Sequence, residues 1–247
     1  MTIPVWFLTL PGVMTLDMAG PAETLRLAGP DVELYYTGPE ATVFSSTRMT
    51  LGNILPLPEC LPSGSILIVP GLENSQHQLT LPAATEACLW LRRQRAAIQR
   101  REITLVCICA GALLAARAGL LDGVLCTTHH QLLSQLRESA PAARVLDNRI
   151  FVEDGGICTS AGITTGIDLA LHLVNRLFGP QKALDIAREM VVWFRRSGND
   201  PQLSPWLRYR NHLHPAIHRA QDLISQHPEQ HWSLMQLAQR AHVSGRH

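Results

Sequence analysis

The sequence predicts an α/β fold in which a mostly parallel sheet is sandwiched by helices. Short apolar runs such as VWFLTL (5–10), SILIVPG (65–71) and ITLVCIC (103–109) alternate with segments that carry helical spacing. Within these runs the apolar residues are continuous, which indicates strands that are buried on both faces. Such strands are typical of α/β proteins, because helical crossovers connect parallel strands and cover the sheet.

Local signals predict the individual elements. Each expected strand is a short apolar or β-branched run bounded by turn formers. The expected strands cover residues 5–10, 32–38, 65–71, 103–109, 124–128, 149–154 and 156–160. Helices are predicted to start at Asp17, Thr80 and Gly162, where a capping or turn residue precedes apolar residues at helical spacing. A further helix is expected over 181–194, after a Gly-Pro stop.

Composition excludes several classes of protein. The chain of 247 residues is 46% hydrophobic, which supports a sizeable core and argues against global disorder. Its formal charge of +1 provides no general attraction to nucleic acid or membranes, and no apolar run is long enough to span a bilayer. The six cysteines form no CxxC pair and follow no secretion signal, so we expect reduced thiols in a cytoplasmic protein. No phosphate-binding glycine motif and no metal-ligand spacing stand out, so neither a cofactor nor a metal is predicted.

The composition changes after Arg196, where a polar stretch rich in turn formers predicts a linker over 197–213. Helical spacing returns in 214–247, and Ser233 is expected to cap the last helix. We therefore divide the chain into an α/β domain of residues 1–196, this linker and a helical segment. Because one member of a helix pair buries its apolar face poorly, we expect the chain to end inside a motif.

Cys109 stands at the carboxyl end of a predicted strand, where ligands and catalytic groups collect in parallel α/β sheets. The small residues Ala110, Gly111 and Ala112 follow directly and permit a tight strand-to-helix turn, the geometry that projects a nucleophile in α/β hydrolases. The positive end of the next helix dipole is then expected to favour the thiolate. The alternative is a buried packing cysteine, which is the usual role of a free thiol.

Several motifs occur in an order that resembles one family. They are LDMAGPAETLRLAG near the start, LIVPG in the middle, ICAGALLAARAGLLDG with CTTHH downstream, and TSAGITTGIDLALHLV later. Together they resemble the ThiJ/PfpI branch of the class I glutamine amidotransferase-like superfamily, which implies a flavodoxin-like fold. The whole series followed by a linker and WSLMQLAQRAHVS is similar to AraC-family transcriptional regulators with such an N-terminal domain. The resemblance covers nearly the entire chain and implies that it ends within the first of two helix-turn-helix units.

The resemblance also implies roles for particular residues. It places the elbow nucleophile on Cys109, its acidic neighbour on Asp17 and the histidine of the TTH motif on His129. It implies a ligand- or oxyanion-binding pair of backbone amides at Ala110 and at the loop Gly71-Leu72. A carboxyl group, an imidazole and two N–H donors suit proton transfer and the binding of developing negative charge.

Three departures from the family pattern favour a binding site over a competent enzyme. Leu72 stands where many relatives have a second glycine, Ala110 lacks the hydroxyl of some hydrolytic or hydrating relatives, and no acidic residue closely follows His129. Simpler roles stay open for two residues. Asp17 is also a candidate helix cap, and His129 is also a candidate loop residue or helix start.

The resemblance implies a homodimer that binds operator DNA through a recognition helix beginning near Ser244 and including Arg246. We predict a transcriptional regulator whose α/β domain senses a small molecule, of amide- or nitrogen-bearing type, and controls a C-terminal DNA-binding domain. The alternative is a cysteine-dependent amidase or hydratase that uses Cys109, Asp17 and His129. A stress-response protein with a readily oxidised Cys109 is a third hypothesis.

Overall fold

The structure is a computed structural model that describes residues 2–204, 207–208 and 213–245. The described residues form two compact units, and the division falls between Gln202 and Leu203. The first unit has the α/β architecture that the apolar runs predicted, and the second is helical.

A six-stranded sheet forms the centre of the first unit. In sheet order the strands are β2 (Val32–Thr37), β1 (Ile3–Leu8), β5 (Ile66–Val69), β6 (Thr104–Ile108), β10 (Ile157–Ser160) and β9 (Phe151–Asp154). The first five run parallel, and β9 pairs antiparallel with β10 at the edge. Because β5 and β10 are buried along their whole length, their continuous apolar runs correctly indicated strands covered on both faces.

Helices and short connecting elements surround the sheet. Helix α7 (Thr165–Phe178) contacts α1 (Thr15–Arg26) and α8 (Pro180–Glu189), while α5 (Gly111–Arg117) contacts α3 (Pro82–Arg93) and α6 (Leu133–Ser139). The connections hold β3 (Val43–Phe44) paired with β4 (Thr50–Leu51), β7 (Leu125–Cys126) paired with β8 (Arg144–Val145), α2 (Ser75–Gln78), α4 (Arg95–Gln99) and a 3₁₀ turn at His130–Leu132. Among the described residues, no helix has the length and apolarity needed to cross a membrane.

The position of β6 in the sheet determines where a site can form. Its side chains are buried from Leu105 to Ile108, and they belong to one apolar core that also includes Phe7 and Leu67. In the sheet β6 lies between β5 and β10. The segments that follow these three parallel strands therefore meet at one edge of the sheet, around Cys109.

The helices do not start where the capping signals predicted. Helix α1 begins at Thr15, so Asp17 lies inside its first turn and does not cap it. The reason is that the Asp17 carboxylate accepts hydrogen bonds from two loops distant in sequence. Helix α3 follows Leu81 without a side-chain cap from Thr80, and α7 begins at Thr165 and not at Gly162.

Two further boundaries differ from the sequence-based expectation. The run 124–128 forms only the short strand β7, which pairs with β8 outside the central sheet. Its last two residues, Thr127 and Thr128, instead direct their hydroxyl groups to the carbonyls of Leu146 and Cys109. The helix expected over 181–194 ends as α8 at Glu189, and Trp193 beyond it is fully exposed.

The described part of the second unit includes the helices Pro215–Gln226 and Leu234–Arg240, which pack against each other. The predicted cap is present, because the Ser233 hydroxyl accepts a hydrogen bond of 3.2 Å from the Gln236 amide. The Gln236 side-chain oxygen in turn accepts one of 2.9 Å from the Ser233 amide, which completes a capping box. Ala238 is buried in this helix pair.

The stretch expected to be a linker starts inside the first unit. The Ile150 amide donates to the carbonyls of Gly198 and Asp200, each at 3.2 Å, so these residues are held by the α/β fold. A polar composition rich in turn formers did not distinguish this ordered segment from a free linker.

Candidate functional site

Cys109 lies in a sharp turn between β6 and α5. Its φ is 53°, a left-handed backbone conformation that residues with a side chain adopt rarely, and only 8% of its surface is exposed. A Cβ atom at Gly111 would lie 2.0 Å from the carbonyl oxygen of Val69, so a glycine is required where the turn passes the end of β5. The backbone thus makes the tight turn that the small residues predicted.

Two more glycines allow neighbouring loops to approach this turn. A Cβ atom at Gly162, the residue expected to open a helix, would lie 2.2 Å from the Cys109 Cβ. A Cβ atom at Gly71 would lie 2.4 Å from the Asp17 Oδ2 atom and 2.9 Å from the Cys109 Cβ. Both loops can therefore contact the elbow only as glycines.

The Asp17 carboxylate joins these loops to helix α1. Its Oδ2 atom accepts a hydrogen bond of 3.1 Å from the Gly71 amide, and its Oδ1 atom accepts one of 2.6 Å from the Ile163 amide. The Cys109 thiol acts on the same carboxylate and lowers its pKa by hydrogen bonding. Asp17 has no exposed surface. One buried side chain thus ties the ends of β5, β6 and β10 together.

Burial controls the protonation of Asp17 and Cys109. Burial raises the pKa of Asp17 from its ordinary 3.8 to about 6, against the lowering effect of the hydrogen bonds from Ile163, Gly71 and Cys109. Burial and the negative charge of Asp17 raise the pKa of the Cys109 thiol to about 12, although the Ala110 amide lowers it. The expectation of a thiolate activated by position alone was therefore wrong. The adjacent carboxylate and the lack of solvent outweigh the short helix dipole.

His129 lines the same cavity as Cys109, next to the 3₁₀ turn that it precedes. Its Nδ1 atom accepts a hydrogen bond of 3.4 Å from the Gln131 amide, which corresponds to the helix-start role that the sequence left open. Burial and the neighbouring His130 lower its pKa, so the imidazole is neutral near pH 7. Within the described residues no carboxylate orients this ring through a hydrogen bond.

A cavity of about 700 Å³ opens beside Cys109. Two carboxylates, three glutamine side chains and one asparagine contribute most of its polar surface, and neither lysine nor arginine is among its described lining residues. The lining comprises Met14, Leu72, Glu73, Asn74, Ser75, Gln76, Cys109, His129, Gln131, Leu132, Ser134, Gln135, Glu138 and Ile163. A volume of this size suits a small metabolite.

Of the three residues predicted to bind a ligand, only Leu72 lines the cavity, and the amides of the other two interact with site residues. The Gly71 amide already donates to Asp17, so it supports the site without facing a ligand. The Ala110 amide acts on the Cys109 thiol, whose pKa it lowers.

The predicted DNA-contacting residues lie at the end of the chain. Ser244 is exposed and follows the helix Leu234–Arg240, whereas Arg246 lies outside the described residues. Their role in DNA binding stays a prediction. Nowhere in the described ranges do three or more His, Cys, Asp or Glu side chains cluster so as to hold a metal ion.

Sequence reasoning missed several residues of the site. Ile163 has a φ of 54° and supplies an amide to Asp17, and Glu138 adds a carboxylate to the cavity from helix α6. Thr128 donates from its hydroxyl to the Cys109 carbonyl at 2.7 Å. The only sequence signal for these residues was that they follow a strand or neighbour a motif residue. Their contacts with the site arise only when the folded chain brings them together.

The model of the DJ-1/PfpI family matches residues 4–176, the stretch that contains the sheet, the elbow and Asp17. The chain belongs to the DJ-1/PfpI family. The HTH-type transcriptional regulator CdhR of Pseudomonas aeruginosa is 32% identical over 249 residues, which cover 98% of this chain and 70% of CdhR. The isonitrile hydratase of Pseudomonas putida is 35% identical over 186 residues, which cover 74% of this chain and 75% of the enzyme.

A solved structure shows the same fold. An AraC family transcriptional regulator from Pseudomonas putida superimposes with a TM-score of 0.63 at 20% identity, covering 76% of this chain and 99% of that one. The predicted kinship with helix-turn-helix regulators that carry a DJ-1/PfpI domain is confirmed, because the CdhR match extends over both units. The roles of the individual site residues stay predictions.

The close approach at Gly162 generates a stability prediction. Gly162→Ala should lower the free energy of unfolding by about 3 kcal/mol, because the new Cβ overlaps Cys109 and the backbone is left-handed. Gly64→Ala is the matched control, since Gly64 has nearly the same φ (+85° against +86°) and no atom within 4 Å of the added Cβ. The free energy of unfolding of this control, measured in urea, should fall by about 1 kcal/mol. Equal losses in the two variants would show that Gly162 does not clamp the elbow.

The buried carboxylate generates a pH prediction. Because folding raises the pKa of Asp17 from 3.8 to about 6, the folded state holds this proton more tightly. The stabilisation is complete below pH 3.8 and is lost as the pH rises through about 6. Between pH 4 and 7 the free energy of unfolding, measured in urea, should fall by about 2.4 kcal/mol more in the wild type than in Asp17→Asn. Asp31→Asn, at an exposed position, should follow the wild type. Parallel pH profiles for wild type and Asp17→Asn would contradict the assignment.

Proposed function

We propose that the chain is a transcriptional regulator whose DJ-1/PfpI domain binds a small effector in the cavity beside Cys109. The main support for this proposal is the cavity of about 700 Å³ at the carboxyl edge of the sheet. The chain also aligns over 98% of its length with a helix-turn-helix regulator. Effector binding would shift the state of the first unit and thereby the DNA binding of the second.

The chemistry of the elbow favours binding over turnover. A nucleophilic cysteine acts as a thiolate, and burial beside Asp17 raises the pKa of Cys109 to about 12. Among the described residues, no carboxylate orients His129 as a general base. Leu72 additionally occupies space next to the thiol. A neutral thiol of this kind can contact a ligand without attacking it.

The lining of the cavity favours a nitrogen-bearing effector. Glu138 brings negative charge, Glu73 brings a carboxylate that pairs with Arg48 at 3.2 Å, and the side-chain oxygens of Gln76, Gln131 and Gln135 are hydrogen-bond acceptors. Because no described lining residue is cationic, the site suits a neutral or positively charged molecule with N–H donors better than an anion.

The remaining partners belong to the same proposal. The limits predicted from the sequence, 1–196, 197–213 and 214–247, change at one point, because the effector domain also holds residues up to Gln202. Operator DNA is bound by that last segment, with Ser244 and Arg246 at the recognition helix, and the regulator acts as a homodimer in the cytoplasm, as its resemblance to AraC-type proteins implies. The relatives named HTH-type regulators and the capping box at Ser233 support this reading.

A thermal-shift screen tests the effector site directly. An amine, amide or amidine metabolite that binds at about a hundred times its Kd should add about 2.7 kcal/mol to the free energy of unfolding. For a domain of this size the melting temperature should rise by roughly 5 to 10 °C. Carboxylate and phosphate metabolites of equal size should produce no rise.

Variants then locate each hit. Glu138→Gln should reduce the shift of a cationic hit, because it removes one of the two carboxylates of the cavity. Glu86→Gln, which changes an exposed glutamate on helix α3, is the control and should leave the shift unchanged. If a hit raises the melting temperature of Glu138→Gln and of Cys109→Ala as much as that of the wild type, it binds outside this cavity and the proposal is overturned.

One observation favours a second candidate, a cysteine-dependent hydratase or amidase. The isonitrile hydratase of Pseudomonas putida shares 35% identity over most of the first unit. We expect no turnover of isonitriles or primary amides by the wild type above that of Cys109→Ala, because the thiol is neutral. Steady-state product formation that vanishes in Cys109→Ala would show that the domain acts as an enzyme and would overturn the proposed sensing role.

A further inference from the structure

The segment through which the chain leaves the first unit is fastened to that unit. This departing segment, residues 196–202, begins with the Arg196 guanidinium, which donates to the buried Asp168 carboxylate at 3.0 Å. Its middle accepts hydrogen bonds from the Ile150 amide, and its last amide, that of Gln202, donates to the Asn148 Oδ1 atom at 3.1 Å. The segment is therefore docked along its whole length.

The Gln202 side chain connects the departing segment to the elbow. Its Nε2 atom donates to the carbonyls of Thr128 at 2.9 Å and Arg149 at 3.0 Å. Thr128 is fully buried, and its hydroxyl donates to the carbonyl of Cys109 at 2.7 Å. One residue, Thr128, thus bonds both to the elbow and to the last residue of the first unit.

The accepting carbonyl of Thr128 lies directly behind a residue of the cavity wall. It forms the peptide bond with His129, whose side chain lines the cavity beside Cys109. Peptide groups are planar, so a rotation of this peptide that accommodates a ligand at His129 must also re-aim the carbonyl to which Gln202 donates.

The docked state of Gln202 is incompletely satisfied. Its Oε1 atom is buried and has no hydrogen-bond partner among the described residues. A buried acceptor without a donor costs free energy, and release into water removes that cost. The bonds of the Nε2 atom, which include one of 3.5 Å to the Thr127 hydroxyl, therefore hold the side chain in place against the free-energy cost of the unpaired oxygen.

We infer that Gln202 reports occupancy of the Cys109 cavity to the chain that leads into the second unit. This inference rests on the proposed function and names the regulation of that same site. A ligand that moves the 128–129 peptide breaks the side-chain bonds of Gln202 and weakens the docking of the departing segment at its end. If the bonds of Arg196 to Asp168 also open, the seven residues from 196 to 202 join the tether and add at most about 24 Å of reach. A longer tether changes the effective concentration of the DNA-binding domains relative to each other in a dimer.

Amide hydrogen exchange on the full chain tests the coupling without a ligand. Thr128→Val removes only the hydroxyl bond to Cys109, yet exchange at the Ile150 and Gln202 amides should accelerate about tenfold. Thr24→Val is the matched control, because Thr24 is equally buried and its hydroxyl bonds a carbonyl at 2.8 Å within helix α1. Amides of strand β1 serve as the internal reference for global opening. Unchanged exchange in Thr128→Val, or equal acceleration in Thr24→Val, overturns the inference.

The reverse direction provides an independent readout, because coupling between two sites is reciprocal. Gln202→Ala should increase the rate at which iodoacetamide alkylates Cys109 at least threefold, as followed by mass spectrometry. Gln181→Ala, which removes a glutamine bonded to Asp185 on helix α8, should leave that rate unchanged. Equal rates in wild type and Gln202→Ala overturn the inference.

These experiments contain neither effector nor DNA, so their result is distinguishable from that of the thermal-shift screen. If exchange is coupled but no metabolite stabilises the protein, the role of Gln202 is supported and the proposed effector binding is overturned. If a metabolite stabilises the protein but exchange is not coupled, effector binding is supported and the role of Gln202 is overturned.

Discussion

The buried carboxylate of Asp17 is the contact on which the site depends. It holds the loop after β5 through the Gly71 amide, the loop after β10 through the Ile163 amide, and the residue after β6 through the Cys109 thiol. Three segments distant in sequence are thereby fixed around one point, and glycines at positions 71 and 162 allow two of them to approach it closely. Charge burial of this kind costs free energy that only the hydrogen bonds offset.

The same contact decides which chemistry the cavity can support. A carboxylate next to a buried thiol opposes a second negative charge, so it holds the proton on sulfur and weakens the nucleophile. In this chain the cavity therefore lies beside a thiol that keeps its proton near neutral pH, as the proposed sensing role requires. His129 in the cavity wall follows Thr128, whose carbonyl accepts a hydrogen bond from Gln202 at the end of the first unit.

Much of the fold could be predicted from the sequence, because continuous apolar runs and small residues act locally. The strand before Cys109 and the turn after it are examples, as is the cap at Ser233. Interactions between distant segments were not accessible in this way. Gly162 was interpreted as a helix start, although it actually makes room for Cys109. Gln202 was assigned to a linker by its polar surroundings, and only the folded chain shows it bonded beside the elbow.

The most direct test of this account is the ultraviolet titration of the Cys109 thiolate near 240 nm, taken as the difference between wild type and Cys109→Ala. The account predicts no thiolate step below about pH 9, because burial and Asp17 raise the pKa of the thiol far above its ordinary value. It also predicts that Asp17→Asn moves the step to lower pH. A thiolate already present at pH 7 in the wild type, or an unchanged step in Asp17→Asn, would contradict it.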